Sequence, residues 1–464
     1  GGFNRVLTGT DLTFIGVGSI VGSGIFVMSG QAAALYAGPA VTLSFLFSGL
    51  CCIIYAMCFA ELASTLPVSG SAYSYTKVAF GRFAGWIIGW ALVSEYMFGI
   101  SVIAVGWSGY FESTCRHVGL PFPAVVSQAP IKVTDDVITW TGSYFNLPAV
   151  LLLGFATAVV IVGVRESTRF TTVVVSVKIL AIIVFCVCGA FFIDTTNWEP
   201  FVPEPKGDQF GQFGWSGVLR ASSVIFFAYI GFDAVTTGAA ECKDPQRDLP
   251  RAIFSSLGIV TVLYCATSLV LTGMISYTLL MVPDPLAVGV DAHPELAWLS
   301  PLLKVAVIIG LPSGVVVGVY AQSRIFHIMA CDGLLPQAFR ELHSTFRTPW
   351  IGTVLCGCGG ALLSGTLPVN VVGELCSIGT LLAFGTVCAG VIRLRDTQPD
   401  TPRPFKVPLS PFLPAVGVVL ALVQTCFLPL STWIRMACWM LLGLLIFFGY
   451  GVHQKDEEGY VRVQ

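Results

Sequence analysis

The sequence predicts an all-α membrane protein with twelve transmembrane helices, and three observations carry that prediction. First, 55% of its 464 residues are hydrophobic and only 11% are charged, whereas an ordinary soluble protein is about 25% charged. Second, apolar stretches of around 20 residues recur along the chain, each enough for one bilayer crossing. Third, these stretches are too long for barrel strands, which run ~10 residues and alternate in polarity. Lipid cannot satisfy backbone groups, so spans of this length are helices. The chain reads as a single transmembrane domain over 1–464.

The first span, near 12–37, is apolar yet rich in glycine and serine. The second, 41–66, leads into an inner connection, PVSGSAYSYTKVAF at 67–80, whose amphipathic flavour suits a short helix lying at the membrane interface. The third, 84–112, holds Glu95. It is followed by the longest outer loop, 113–146, with Pro121, Pro123, Pro130 and the pair Asp135-Asp136. The fourth span, 147–164, opens on Pro148, and the fifth, 168–193, holds Lys178. A loop rich in proline and acids, 194–214, precedes the sixth span, 215–240. The inner turn ECKDPQRDLP at 241–250 mixes both charge signs, which suits a solvated surface turn or an inner gate of exchanging ion pairs. The seventh span covers 251–276, and an outer spacer or lid at 278–295 carries Asp284, Asp291 and Glu295. The eighth, ninth and tenth spans lie near 296–330, 349–366 and 370–394, and the last two near 412–428 and 432–451.

Lys and Arg placement sets the orientation. With the N-terminus inside, the inner connections hold Lys77, Arg82, Arg165, Arg247, Arg324, Arg340, Arg395 and Arg403. The outer side holds only Arg116, Lys132, Lys206, Arg220 and Arg435. Both termini are therefore expected in the cytoplasm, with the chain in the plasma membrane. Nearly all of the 15 cysteines fall inside apolar spans and read as small hydrophobes. Cys356 and Cys358 point to different helix faces and make poor metal ligands. Cys115, at an outer helix end, is either a free thiol or the point of attachment for an accessory single-span subunit. His117, His293, His327, His343 and His453 are scattered. No metal or cofactor is expected, and an enzyme is the weakest reading. The net charge of -2 points to no nucleic-acid partner.

The stretch FIGVGSIVGSGIFV at 14–27 packs glycines and serines into the middle of the first span. The stretch VIFFAYIGFDAVTTG at 224–238 interrupts the sixth. Glycines in a span serve either close helix packing or an unwound segment. Two such clusters five spans apart, one followed by the intramembrane acid Asp233, favour unwinding. That is the arrangement of two five-helix halves related by inversion, here 12–194 and 215–395. Broken helices expose main-chain N–H and C=O groups at mid-membrane, where they can cradle a polar ligand. The first break offers Ser19, Gly22, Ser23 and Gly24; the second offers Ala228, Tyr229, Gly231 and Asp233.

GVGSIVGSGIFVMSG at 16–30 resembles the first-span signature of the amino acid–polyamine–organocation superfamily. FAELASTLPVSGSAYSY at 59–75, FFAYIGFDAV at 226–235 and RIFHIMACDGLLP at 324–336 resemble its other motifs, in order and spacing. GFDAV with ECKDPQRDLP, and LRDTQPDTPRPFKVPLSP at 394–411, look most like the cationic amino acid transporter family and its bacterial relatives. The resemblance implies the five-plus-five inverted repeat with broken helices 1 and 6, two extra C-terminal helices over 412–451, and an α-amino acid substrate, cationic or neutral. It implies that the substrate carboxylate meets N–H groups of Ile20 to Gly24. The ammonium would meet carbonyls around Val17, Phe226, Phe227 and Tyr229. A half-helix N-terminus suits an anion and freed carbonyls suit a cation.

Lys178 lies nine residues past Arg169, roughly 13 Å into the bilayer. A cation there is costly unless paired or neutralised. In the resembling family such a lysine looks like a substitute for the sodium ion of related transporters, which implies proton coupling; a fixed charge locking two helices is the structural reading. Glu95, roughly 20 Å deep, and Asp233 are further candidates for proton relay or for structural bonds. The resemblance also places Ser313 facing the first break and Gly318 in the side-chain pocket, where a glycine leaves room for a long substrate. The expected activity is proton-coupled amino acid transport by alternating access. An amino acid exchanger, or a sensor without net flux, is the alternative.

Overall fold

A computed structural model describes residues 8–66, 71–120, 122–134, 137–163, 168–205, 210–232 and 245–453 of the chain. Asp233 and residues 241–244 of the expected inner turn at 241–250 lie outside the described residues, while 245–250 already belong to a helix rather than a turn. Helix α1 spans Gly9–Ile20. It starts on a reciprocal cap in which Thr8 N–H donates to Asp11 at 2.9 Å and Asp11 N–H to Thr8 Oγ1 at 3.4 Å. The chain resumes as π-helix over Gly24–Met28, passes the short α2 (Ser29–Ala32) and ends in a second π-helical turn, Ala33–Ala37. Gly38 then turns at φ +57° ahead of Pro39, a conformation that glycine adopts at no steric cost. Helices α3 (Val41–Thr65), α4 (Ser71–Phe80) and α5 (Arg82–His117) follow.

The long outer connection contains a feature the sequence reading missed. Strands β1 (Ile131–Thr134) and β2 (Val137–Trp140) pair antiparallel, with Ile131 opposite Trp140. Helix α6 (Leu147–Val162) is capped by Asn146, whose side chain accepts from Ala149 N–H, and it stops at Gly163 in the left-handed region. Next come α7 (Thr168–Gly189), α8 (Gly214–Val224) and a 3-10 turn, Ile225–Tyr229. The remaining helices are α9 (Pro245–Met274), α10 (Pro285–Asp291), α11 (Leu299–Cys331), α12 (Trp350–Thr366), α13 (Val369–Thr397), α14 (Phe412–Phe427) and α15 (Leu430–Gly449). Each of the twelve predicted apolar windows thus holds helix.

Among the described residues, seven helical runs are long and apolar enough to cross a membrane, and α6, α12 and α14 are shorter apolar helices. The run Gly24–Thr65 counts as one of the seven, yet the turn at Gly38 divides it. Large side chains on the outer surface, such as Leu151 (61% exposed) and Leu445 (72% exposed), face a solvent that must be lipid. Helix α5 is buried on nearly all sides and packs against α11 and α13. Inside α11, Pro312 cannot donate to the carbonyl of Ile308. The indole of Trp107 on α5 donates to that carbonyl instead, at 3.0 Å.

Helix α4 departs from the expected interfacial helix. Its residues Ala72 to Thr76 are buried. Lys77 pairs with Asp332 at 2.9 Å, and Tyr73 donates to the same carboxylate at 2.5 Å. Protein, rather than lipid headgroups, covers its apolar face.

Candidate functional site

Helix α1 ends because Val21 takes an extended conformation, φ −70° and ψ 100°. Beyond it, Ser23 and Gly24 open a new half-helix. The first turn of a helix has N–H groups without intrahelical acceptors, and the last turn has spare carbonyls. The break therefore sets donors against acceptors within three residues, Val21 to Ser23. The second break has the same origin. Helix α8 tightens into the 3-10 turn, Ile230 becomes extended at ψ 145°, and Gly231 sits at φ +118°.

The two breaks touch. A Cβ on Gly24 would lie 2.2 Å from the Cβ of Ala228, and one on Gly231 would lie 2.7 Å from the carbonyl oxygen of Ser19. Only glycine permits either approach. Val17, Ile20, Ser23, Phe226, Phe227, Ala228 and Tyr229 are buried around this contact, Gly22 and Gly231 are half-buried, and Ser19 is exposed. The structure therefore brings together the first-break and second-break residues named from the sequence. Two of the expected carbonyl acceptors already take one main-chain donor: Val17 from Val21 N–H at 2.9 Å and Phe227 from Ile230 N–H at 3.0 Å. A carbonyl has two lone pairs, so each retains one.

Lys178 reaches the first break from α7. Its Nζ donates to the carbonyls of Val21 at 2.8 Å and Gly18 at 3.2 Å, and the residue is 4% exposed. These are carbonyls at the C-terminal end of α1, where the helix dipole is negative. The lysine stem lies along α11, for a Cβ on Gly310 would meet its Cγ at 2.5 Å. The ammonium thus caps the carbonyl end of α1.

Tyr264, on α9, was not foreseen. Its hydroxyl lies 2.9 Å from the carbonyl of Ile20 and 3.0 Å from that of Ala228. A phenol has one proton, so the two breaks share it. Hydroxyls hold the surrounding main chain too. Tyr229 donates to Phe45 carbonyl at 2.7 Å, Ser377 to Val224 carbonyl at 2.5 Å and Tyr110 to Phe26 carbonyl at 2.8 Å.

Other candidates lie elsewhere. Glu95 is buried on α5, and the thiol of Cys376 donates to its main-chain carbonyl at 3.2 Å. Ser313 Oγ donates within its own helix to Gly310 carbonyl at 2.8 Å. Gly318 does not open a pocket: a Cβ there would lie 2.4 Å from Cγ2 of Ile100, so its missing side chain admits α5 rather than a long substrate. Glu61, near the other end of α3, is held by both Nε (2.8 Å) and Nη2 (2.5 Å) of Arg395 and by Val407 N–H at 2.6 Å. Among the described residues no group of His, Cys, Asp and Glu could hold a metal.

A broken first helix in contact with the unwound end of the segment that begins with α8, inside a bundle sheathed by apolar side chains, defines a multi-pass membrane protein built around an internal polar site. The particular family follows from comparison with known proteins: the chain belongs to the amino acid permeases, whose family model matches residues 7–447. It is 39% identical to a methylthioribose transporter of Bacillus subtilis over 451 residues, 96% of this chain and 93% of that one. It is 36% identical to the branched-chain amino acid permease BcaP of the same organism, over 98% of this chain and 95% of that one. It is 35% identical to the vacuolar cationic amino acid transporter 4 of Arabidopsis thaliana, over 88% of this chain and 65% of that one. The family and these relatives are transporters, not enzymes.

Proposed function

We propose that the protein is a proton-coupled symporter of α-amino acids, working by alternating access in the plasma membrane. The chain would cross the bilayer twelve times, with both termini cytoplasmic and with its first ten helices related as two inverted halves. The zwitterion would bind at the crossing of the breaks. Its carboxylate would face the N–H groups of Gly22, Ser23 and Gly24, and its ammonium the carbonyls around Phe226 and Ala228. Lys178 would carry the coupling proton, releasing its hold on the end of α1 when it gives that proton up. Glu95 and Asp233 are the remaining candidates for relay.

The observation that carries this reading is the pair of bonds from Lys178 Nζ to the Val21 and Gly18 carbonyls, 2.8 and 3.2 Å. A titratable cation there ties protonation to the geometry of the substrate's own cradle. The names of the relatives span branched-chain and cationic amino acids, so leucine and arginine are the informative substrates. Uptake into proteoliposomes should rise with an inward pH gradient and ignore a sodium gradient. Stimulation by sodium alone would overturn the role given to Lys178, and binding of neither amino acid would overturn the substrate class.

A further inference from the structure

A second polar site lies apart from the helix breaks. A cavity of about 50 Å³ opens between the end of the Ala33–Ala37 turn, α8, α13 and α15. Its lining includes Tyr36, Arg220, Asn370, Glu374, Ser431 and Arg435. The carboxylate of Glu374 is buried and heavily engaged: Oε1 accepts from Tyr36 at 2.7 Å, and Oε2 from Thr432 at 2.6 Å and Arg435 at 3.3 Å. Two guanidinium groups against one carboxylate leave the lining with one net positive charge.

The donors outnumber what the protein uses. Among the described residues, Arg220 donates Nε–H to Phe427 carbonyl at 3.1 Å, and Arg435 donates from Nη1 to Glu374. A guanidinium carries five N–H groups, so both arginines keep donors for the cavity. Asn370 Nδ2 gives one bond, to Val133 carbonyl at 3.1 Å, and Ser431 adds a hydroxyl. Each water-sized group needs about 10–15 Å³ of such a cavity. The space therefore suits roughly three to five, enough for a carboxylate or for a halide with a water or two. A net charge of one selects a monovalent guest over a divalent one, and partial burial strengthens the attraction.

We propose that this cavity binds one small monovalent anion, a halide or a carboxylate. Its lining joins α15 to the chain on both sides of the contact between the breaks, because Tyr36 lies at the far end of the segment that begins at Gly24 and Arg220 stands in the helix that runs to the second break. The proposal does not rest on the transport reading and is tested without a flux measurement.

The detergent-purified full chain is melted in isethionate buffer, whose anion is bulky, and titrated at constant ionic strength with sodium chloride, sodium formate or glycine. A saturable rise in melting temperature of about 1–3 °C is expected for chloride, formate or both. A response to chloride alone identifies a halide site and one to formate a carboxylate site, while a glycine response that survives the arginine variants belongs to the helix breaks. Arg220→Gln and Arg435→Gln should abolish the rise, while Arg116→Gln, which breaks an exposed pair with Glu112, should keep it. Should the arginine variants fail to fold, Ser431→Asp supplies a built-in anion, and its response to chloride and formate should vanish. No saturable rise in the wild type, or an equal rise in wild type and Ser431→Asp, overturns the proposal.

Discussion

Both breaks share the Tyr264 hydroxyl, but a cation adds its hold on the first and neutral hydroxyls add theirs on the second. Lys178 binds the carbonyls that end α1, whereas the chain leading into the second break is held by Tyr229, Ser377 and the shared proton of Tyr264. The lysine brings a net charge to the first break, whereas the hydroxyls bring none to the second. On the proposed coupling the two halves of the site are therefore unequal: the first would answer to proton concentration and the second would keep its shape.

Lys178→Met is the sharpest way to break that contrast. Methionine keeps the stem against Gly310 but leaves two carbonyls without their cation. Uptake should fall at least about tenfold, and what remains should be independent of pH. A residual rate with the wild-type pH profile would remove the asymmetry. Tyr264→Phe comes next, because it releases both breaks at once while preserving the ring. Substrate affinity should fall about three- to tenfold, corresponding to roughly 1 kcal/mol for one shared bond, with the pH profile unchanged; equilibrium binding by calorimetry reads it. Ser377→Ala touches only the second break and should cost less than about threefold in affinity, again without altering pH dependence. If it flattened the pH profile, the second break would be proton-sensitive as well.

The smallest expected effect on transport comes from Asp284, beside α10. Burial pushes its carboxyl up to about 6, against the opposing pull of Ser113, Lys304 and Arg116. The folded state therefore holds a proton that the unfolded chain, at 3.8, has released. The stability this proton contributes is complete below about pH 4 and lost as pH rises through about 6. Asp284→Asn should flatten the melting temperature across that window and leave the pH dependence of uptake unchanged. A flattened uptake profile would move proton sensing from Lys178 to the loop.

Much of the site was legible in the sequence because the breaks are written in residues that unwind helices. Gly22, Ser23, Gly24 and Gly231 announced them, and the depth of Lys178 announced a buried cation. Tyr264 left no such signal. A single tyrosine in TVLYCATSL looks like core, and only tertiary packing brings its hydroxyl between two carbonyls. Gly318 failed for the opposite reason: the absence of a side chain looks the same whether a substrate or a neighbouring helix fills the space. The amphipathic pattern of 71–80 likewise does not say whether lipid or protein covers it. The hairpin could have been found, since IKVT alternates apolar and polar residues and the pair Asp135-Asp136 separates it from the β-branched and aromatic VITW.

Gly310 holds a further consequence. Because α11 lies directly on the methylene chain of Lys178, water has no room to approach the amine from that side while the two helices remain together. If Lys178 carries the proposed proton, its exchange with bulk solvent would wait for α11 to slide off its seat. The opening of a seam between helices would then set the timing of protonation, and a single methyl group added at Gly310, 2.5 Å from Cγ of Lys178, would act on that timing through the lysine stem.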